Sequence, residues 1–117
     1  MKYKNSLKKG VVRFIVFKEN DTWYGVALEF NIVEEGDNPE LVMVSLFDAI
    51  RGYVKTAQKY KLRPMTLNQI PDKEYEGMWQ KLKEKEECSK EKAPSLVDNK
   101  EIFTFGYRPL NTAMAGV

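Results

Sequence analysis

Residues 11–40 read VVRFIVFKENDTWYGVALEFNIVEEGDNPE and contain three strand signals followed by a helix start. Residues 11–18 combine β-branched and aromatic side chains, residues 23–30 alternate loosely, and the polar residues 19–22 between them suit a turn. A third apolar run, residues 32–33, ends at acids and a glycine. The pattern predicts an antiparallel meander of three strands. The better core face of the second strand is formed by the alternate residues Tyr24, Val26, Leu28 and Phe30.

A long amphipathic helix follows the meander. Asn38 can accept a hydrogen bond from an unpaired amide, Pro39 has its φ set for the first helical position, and Glu40 suits the positive end of the helix dipole. The apolar face repeats with helical spacing through Val42, Leu46, Ala49, Ile50, Tyr53 and Ala57. It is widened by Met43, Phe47 and Val54, so the helix needs a further cover, either a later helix or another subunit.

The second half of the chain predicts one more helix and a late strand. Asp72 can cap a helix with apolar positions at Tyr75, Met78, Trp79 and Leu82, and residues 83–92 are almost wholly charged. Residues 102–107 alternate and place three aromatic side chains on one face, which either completes the local core or adds to the sheet of another subunit. We expect a homo-oligomer with an interface formed by Met43, Phe47, Val54, Phe103 and Phe105.

These signals predict an α+β fold with the order β-β-β-α-α-β. The 117 residues, of which 43% are hydrophobic and 31% charged, suit a single domain. We divide the chain into a basic N-terminal tail (residues 1–10), an α/β domain (11–82), a charged helix extension or linker (83–100), and a C-terminal strand and tail (101–117).

Composition excludes several function classes. The chain has no histidine, so it can form neither a Ser-His catalytic triad nor a histidine-containing zinc site. Its single cysteine, Cys88, fits a reducing cytoplasm, and the apolar run 11–17 is too short to cross a membrane. We therefore expect a cytoplasmic protein that is not an enzyme, needs no cofactor or metal, and does not bind membranes.

The segment 12–60 resembles the HicB-like antitoxin family. The resemblance lies in FIVFKENDTWYGVALEF, NIVEEGDNPE and LVMVSLFDAIRGYV, and its most specific part is EGDNPE, residues 35–40, in which Asn38 replaces the usual threonine. The resemblance implies a partial RNase H-like fold without a nuclease centre. It also implies that the protein binds and neutralises a small HicA-type toxin that cleaves mRNA. Many members add a DNA-binding segment at the C-terminus, and residues 72–117 contain no such motif.

Four carboxylates lie near the third strand and the helix start, namely Glu29, Glu34, Glu35 and Asp37. They are open to three interpretations: solvated residues that complement the helix dipole, a toxin-facing anionic surface, or a metal centre. The second makes them the candidate partner-binding residues. An alternative function is a nucleic-acid-binding regulator that uses the basic N-terminal tail through Lys2, Lys4, Lys8 and Lys9.

Overall fold

The computed structural model describes residues 5–6, 10–89 and 96–110 and has the predicted α+β class. Two short 3-10 turns, Leu28–Phe30 and Pro64–Leu67, lie in the connections between the main elements. The main elements in chain order are β1 (Val11–Glu19), β2 (Thr22–Ala27), β3 (Ile32–Gly36), α1 (Pro39–Lys59), α2 (Lys73–Ser89), β4 (Leu96–Val97) and β5 (Lys100–Pro109). The short strand β4 is absent from the predicted order, and α2 continues past Leu82 into the charged residues.

The strands form one antiparallel sheet in the order β3-β2-β1-β5-β4. The late strand β5 pairs with β1 along most of its length, so it lies inside the sheet of its own chain. Both of its neighbours, β1 and β4, belong to the same chain, which is the first of the two alternatives that the sequence left open.

The sheet forms the middle layer, with one helix on each face. Successive residues of a strand point to opposite faces, and the β1 residues Val12, Phe14 and Val16 pack in the core beneath α1. Ile15 and Phe17 pack in a second core beneath α2. Both faces of the central strand are therefore buried, and α2 does not cover the outer side of α1.

The strand β2 also uses both of its faces. Val26 and Leu28 are buried on the α2 side, as expected for a core face. The helix α1 packs on the opposite side over Gly25, where an added Cβ would lie 3.0 Å from Cγ1 of Val42. Phe30 lies in the α1 core instead, because the 3-10 turn breaks the strand alternation before it. The prediction that Phe30 shares a face with Val26 and Leu28 is thus wrong.

Candidate functional site

Three of the predicted partner-binding residues meet where β3 runs into α1. Glu34 lies opposite Gly25 and Glu35 opposite Tyr24, so the two carboxylates point to different faces of the sheet. Asp37 follows in the connection, and the structure adds Glu40 in the first turn of α1. We call Glu34, Glu35, Asp37 and Glu40 the acidic corner. Within the described residues, none of these four carboxylates forms an ion pair.

The helix start at this corner is fixed by the expected cap. The side-chain oxygen of Asn38 accepts hydrogen bonds from the backbone N–H groups of Glu40 (2.9 Å) and Leu41 (3.1 Å). These bonds satisfy two of the amides that a helix start leaves unpaired. The turn from β3 into α1 is therefore defined locally, and it holds the carboxylates of the corner at the edge of the sheet.

A shallow cavity and exposed apolar side chains adjoin the acidic corner. The cavity measures about 230 Å³, and its lining includes Glu35, Asp37, Leu41 and Ser45. Leu41 is 67% exposed and Val44, on the same stretch of α1, is 55% exposed. In the part of the chain that the structure describes, β3 pairs with β2 alone, so its outer edge is open. The site thus combines an unpaired strand edge, carboxylates and a small apolar surface.

Glu29 does not belong to this site. It lies in the 3-10 turn after β2, where one carboxylate oxygen accepts from the backbone N–H of Arg13 (2.8 Å) and the other binds the Arg13 guanidinium. The same guanidinium makes two 2.8 Å bonds to the Glu76 carboxylate of α2 and lies 5.4 Å from the ring centre of Trp79. Glu29 therefore helps to attach α2 to the sheet, and we withdraw it from the partner surface.

Arg13 itself was not singled out by the sequence. Burial lowers its pKa, but hydrogen bonds and charges from Glu76 and Glu29 outweigh burial, and the net shift is upward. The guanidinium thus stays charged between its two carboxylates. The available signal is a single cation in the otherwise apolar run 11–17, but its partners are 16 and 63 residues away.

The three predicted interface residues of α1 pack within the chain. Val54 has no exposed surface, so it can offer nothing to another subunit. Phe47 is half-buried, meeting the Phe14 ring edge-on and lying under the guanidinium of Arg108, 4.3 Å from the ring centre. Met43 is also half-buried against the α1 core. Arg108 of β5 thus covers part of the wide helix face within the same chain.

The three aromatic residues of β5 do not share one face. A bulge between Val16 and Phe17 of β1 leaves Phe103 without a direct partner and shifts the alternation. Phe103 meets Trp23 on the α1 side and is 41% exposed. Phe105 packs edge-on against Trp79 on the α2 side, and Tyr107 does the same. The predicted common face is therefore wrong.

A larger cavity, about 480 Å³, lies between two hairpin turns at one end of the sheet. Asn20 and Asp21 form one turn and Asp98 and Asn99 the other, all four with positive φ. Among the residues that the structure describes, no three His, Cys, Asp or Glu side chains are arranged to hold a metal ion, here or at the acidic corner.

No protein-family model matches this chain, and no curated protein or solved structure is significantly similar to it. A search of the described residues also finds no helix long and apolar enough to span a membrane.

Proposed function

We propose that this chain is a non-catalytic HicB-like antitoxin, or an orphan relative of that family, and that its acidic corner binds the basic RNA-binding face of a small HicA-type toxin. The observation that carries the proposal is a set of four carboxylates without ion-pair partners in the described residues, at an open strand edge. A protein that cleaves RNA must hold a polyanion, so its substrate surface is cationic. An inhibitor can occupy that surface by presenting carboxylates to the same cations.

The open edge of β3 supports a partner other than a second copy of this chain. If two β3 strands paired edge to edge, the carboxylates of Glu34 and Glu35 from both strands would be brought close together. Like charges directly across a strand pair are destabilising. Charged residues on an edge strand also act against self-association. The corner therefore favours a basic partner segment, with Leu41 and Val44 supplying apolar contact beside it.

The test is binding of a HicA-type toxin to the double variant Glu34→Lys/Glu35→Lys at two ionic strengths. Both residues lie on the edge strand and neither fills the core, so the fold should persist. We expect the affinity to fall by roughly tenfold or more at low salt, mainly through slower association, and by less at high salt. Circular dichroism checks that the variant is folded.

The matched control is Glu84→Lys/Glu87→Lys, which makes the same charge change at exposed positions of α2. We expect this control to bind the toxin nearly as well as the wild-type chain. An affinity that both double variants lower equally would mean that net charge alone drives binding. An affinity that neither variant changes would exclude the acidic corner as the contact.

A further inference from the structure

The opposite end of α1 is strongly basic. Between Asp48 and Asp72 the sequence has no carboxylate side chain, but it has five cations. Arg51 pairs with Asp48 at 3.0 Å. The other four have no ion pair within the described residues, and we call them the basic end: Lys55, Lys59, Lys61 and Arg63. A polyanion that binds such a surface releases its own counterions, and this release favours binding.

The backbone at the basic end is held in a tight reversal. The N–H of Lys61 donates to the Gln58 carbonyl (3.2 Å) and that of Leu62 to the Ala57 carbonyl (2.9 Å), a pattern that ends many helices. Lys61 has a φ of 51°, in the left-handed region where glycine is the usual residue. The chain therefore places a cation where glycine would relieve backbone strain.

An exposed aromatic ring lies among these cations. Tyr60 is 65% exposed and stands between Lys59 and Lys61 in the sequence, and the Lys59 ammonium lies 5.4 Å from the centre of its ring. Alternation of cations with an exposed ring is typical of surfaces that hold single-stranded nucleic acid, because phosphates bind the cations and a base stacks on the ring. Met65, 56% exposed, adds apolar surface after the turn.

The turn that follows the basic end, residues 64–68, is held by hydrogen bonds from Tyr53 and Asn5. The Tyr53 hydroxyl donates to the carbonyl of Thr66 (2.7 Å). Asn5, which is almost fully buried, donates from its side chain to the carbonyl of Leu67 (2.8 Å) and from its backbone to the side chain of Asn68 (2.9 Å). Asn68 in turn donates to the carbonyl of Pro64 (2.7 Å), next to Arg63. These contacts preorganise the surface, which lowers the entropy lost on binding.

We infer that the basic end of α1 binds single-stranded nucleic acid, with Lys59, Lys61 and Arg63 on phosphates and Tyr60 stacked on a base. A membrane surface is the poorer match, because a membrane-binding helix inserts its apolar face. The apolar face of α1 is already used, since Leu46, Ile50 and Val54 are fully buried against the sheet. The surface is separate from the acidic corner, so either proposal can fail without the other.

The test measures fluorescence anisotropy of labelled oligonucleotides of about 12 nucleotides, one RNA and one DNA of matched sequence, over a range of salt concentrations. The full chain should bind at low salt and weaken steadily as salt rises. The variant Lys59→Gln/Lys61→Gln should bind less tightly, and its slope of log affinity against log salt should be shallower by about 1.4, the value for two lost phosphate contacts. Tyr60→Ala should lower affinity roughly tenfold, and Tyr60→Phe should retain most of it.

Three controls make the result decisive. Lys73→Gln/Lys85→Gln removes the same charge from α2 and should leave binding nearly unchanged. Lys59→Gln/Lys61→Gly relieves the strain at residue 61, so weaker binding by this variant cannot come from unfolding. The acidic-corner variant Glu34→Lys/Glu35→Lys should not weaken oligonucleotide binding.

The inference would be overturned if neither oligonucleotide bound at low salt. It would also be overturned if Lys73→Gln/Lys85→Gln lost as much oligonucleotide affinity as Lys59→Gln/Lys61→Gln, or if the wild-type chain and both Lys59/Lys61 variants bound equally well. Loss of binding only on replacing Lys2, Lys4, Lys8 and Lys9, which lie outside the described residues, would assign the activity to the N-terminal tail instead. Binding of vesicles with anionic lipid, weakened by Lys59→Gln/Lys61→Gln and without any oligonucleotide binding, would assign the surface to membranes. A difference between the RNA and DNA affinities would show which of the two nucleic acids the surface prefers.

Discussion

The two ends of α1 differ in charge and in how the backbone is capped. The N-terminal end has Asn38 as cap, Pro39 at the first position and carboxylates nearby, all of which suit a helix start. The C-terminal end has cations, which also suit the dipole, but a lysine in the left-handed position. The dipole acts only within the first and last turns. The dipole therefore explains Glu40 and Lys59, which we also assign to binding, but it leaves Glu34, Glu35 and Arg63 without a structural reason.

The support of the two ends also differs, and Asn5→Ala should expose the difference with the largest effect. The N-terminal end is held by a local cap, whereas the turn that follows the C-terminal end is held by a residue more than 60 positions away. Loss of the Asn5 side chain would leave the carbonyl of Leu67 and the N–H of Val11 unpaired, so we expect a loss of about 3 kcal/mol in the free energy of unfolding. Urea unfolding measures it.

The local comparison is Asn38→Ala, which removes the α1 cap and should cost about 1 kcal/mol. A smaller loss for Asn5→Ala than for Asn38→Ala would contradict the idea that the basic end depends on long-range contacts. Oligonucleotide binding by Asn5→Ala, measured where the variant is still folded, would show whether rigid support of the turn also affects affinity.

Lys61→Gly tests whether the lysine at position 61 lowers the stability of the fold while it supplies a positive charge for binding. Glycine adopts a φ of 51° without the steric penalty that a side chain meets, so this variant should be more stable by about 1 kcal/mol. It should also bind oligonucleotides less tightly. Thermal unfolding and anisotropy measure the two quantities on the same samples.

The control is Lys61→Ala, which removes the charge and keeps a Cβ atom. It should weaken oligonucleotide binding to a similar degree without the gain in stability. Equal unfolding temperatures for the glycine and alanine variants would contradict strain at residue 61.

The smallest expected effect is a pH dependence at the basic end. Burial raises the pKa of the Tyr53 hydroxyl above its usual value, and the hydrogen bond from Gln69 offsets part of the rise. The unfolded chain therefore loses this proton at lower pH than the folded chain. Tyr53 therefore contributes fully to the free energy of unfolding below about pH 10, the usual tyrosine pKa. This contribution is lost as the pH rises through the higher pKa that Tyr53 has in the folded chain.

Tyr53→Phe lacks this titration and also lacks the hydroxyl that binds the carbonyl of Thr66. Wild type should be the more stable chain at pH 8, and the difference in the free energy of unfolding should narrow from about pH 10 upward. Urea unfolding of both chains at matched pH measures this difference, because the two chains differ only at residue 53. A difference that stays constant to pH 11 would contradict the shifted pKa.

Most of the candidate site was predictable because its residues are neighbours in the sequence. Glu34, Glu35 and Asp37 follow one another into the cap at Asn38, and local hydrogen bonding alone brings them to one corner. Glu29 is only five residues from Glu34, but Arg13, which also binds Glu76 of α2, holds it on the α2 side of the sheet and away from this corner. Sequence distance predicts proximity along a turn but gives no information about ion pairs between separate elements.

The sequence by itself determined the three-strand meander, the start and apolar face of α1, and the amphipathic start of α2, because these depend on local hydrogen bonding and on residue periodicity. Tertiary structure alone decided that β5 lies beside β1, that α1 and α2 cover opposite faces, and that a bulge separates Phe103 from Phe105. It also brought Asn5 to the turn that follows the basic end. Those features depend on which distant surfaces bury each other, and no short window of sequence contains both partners.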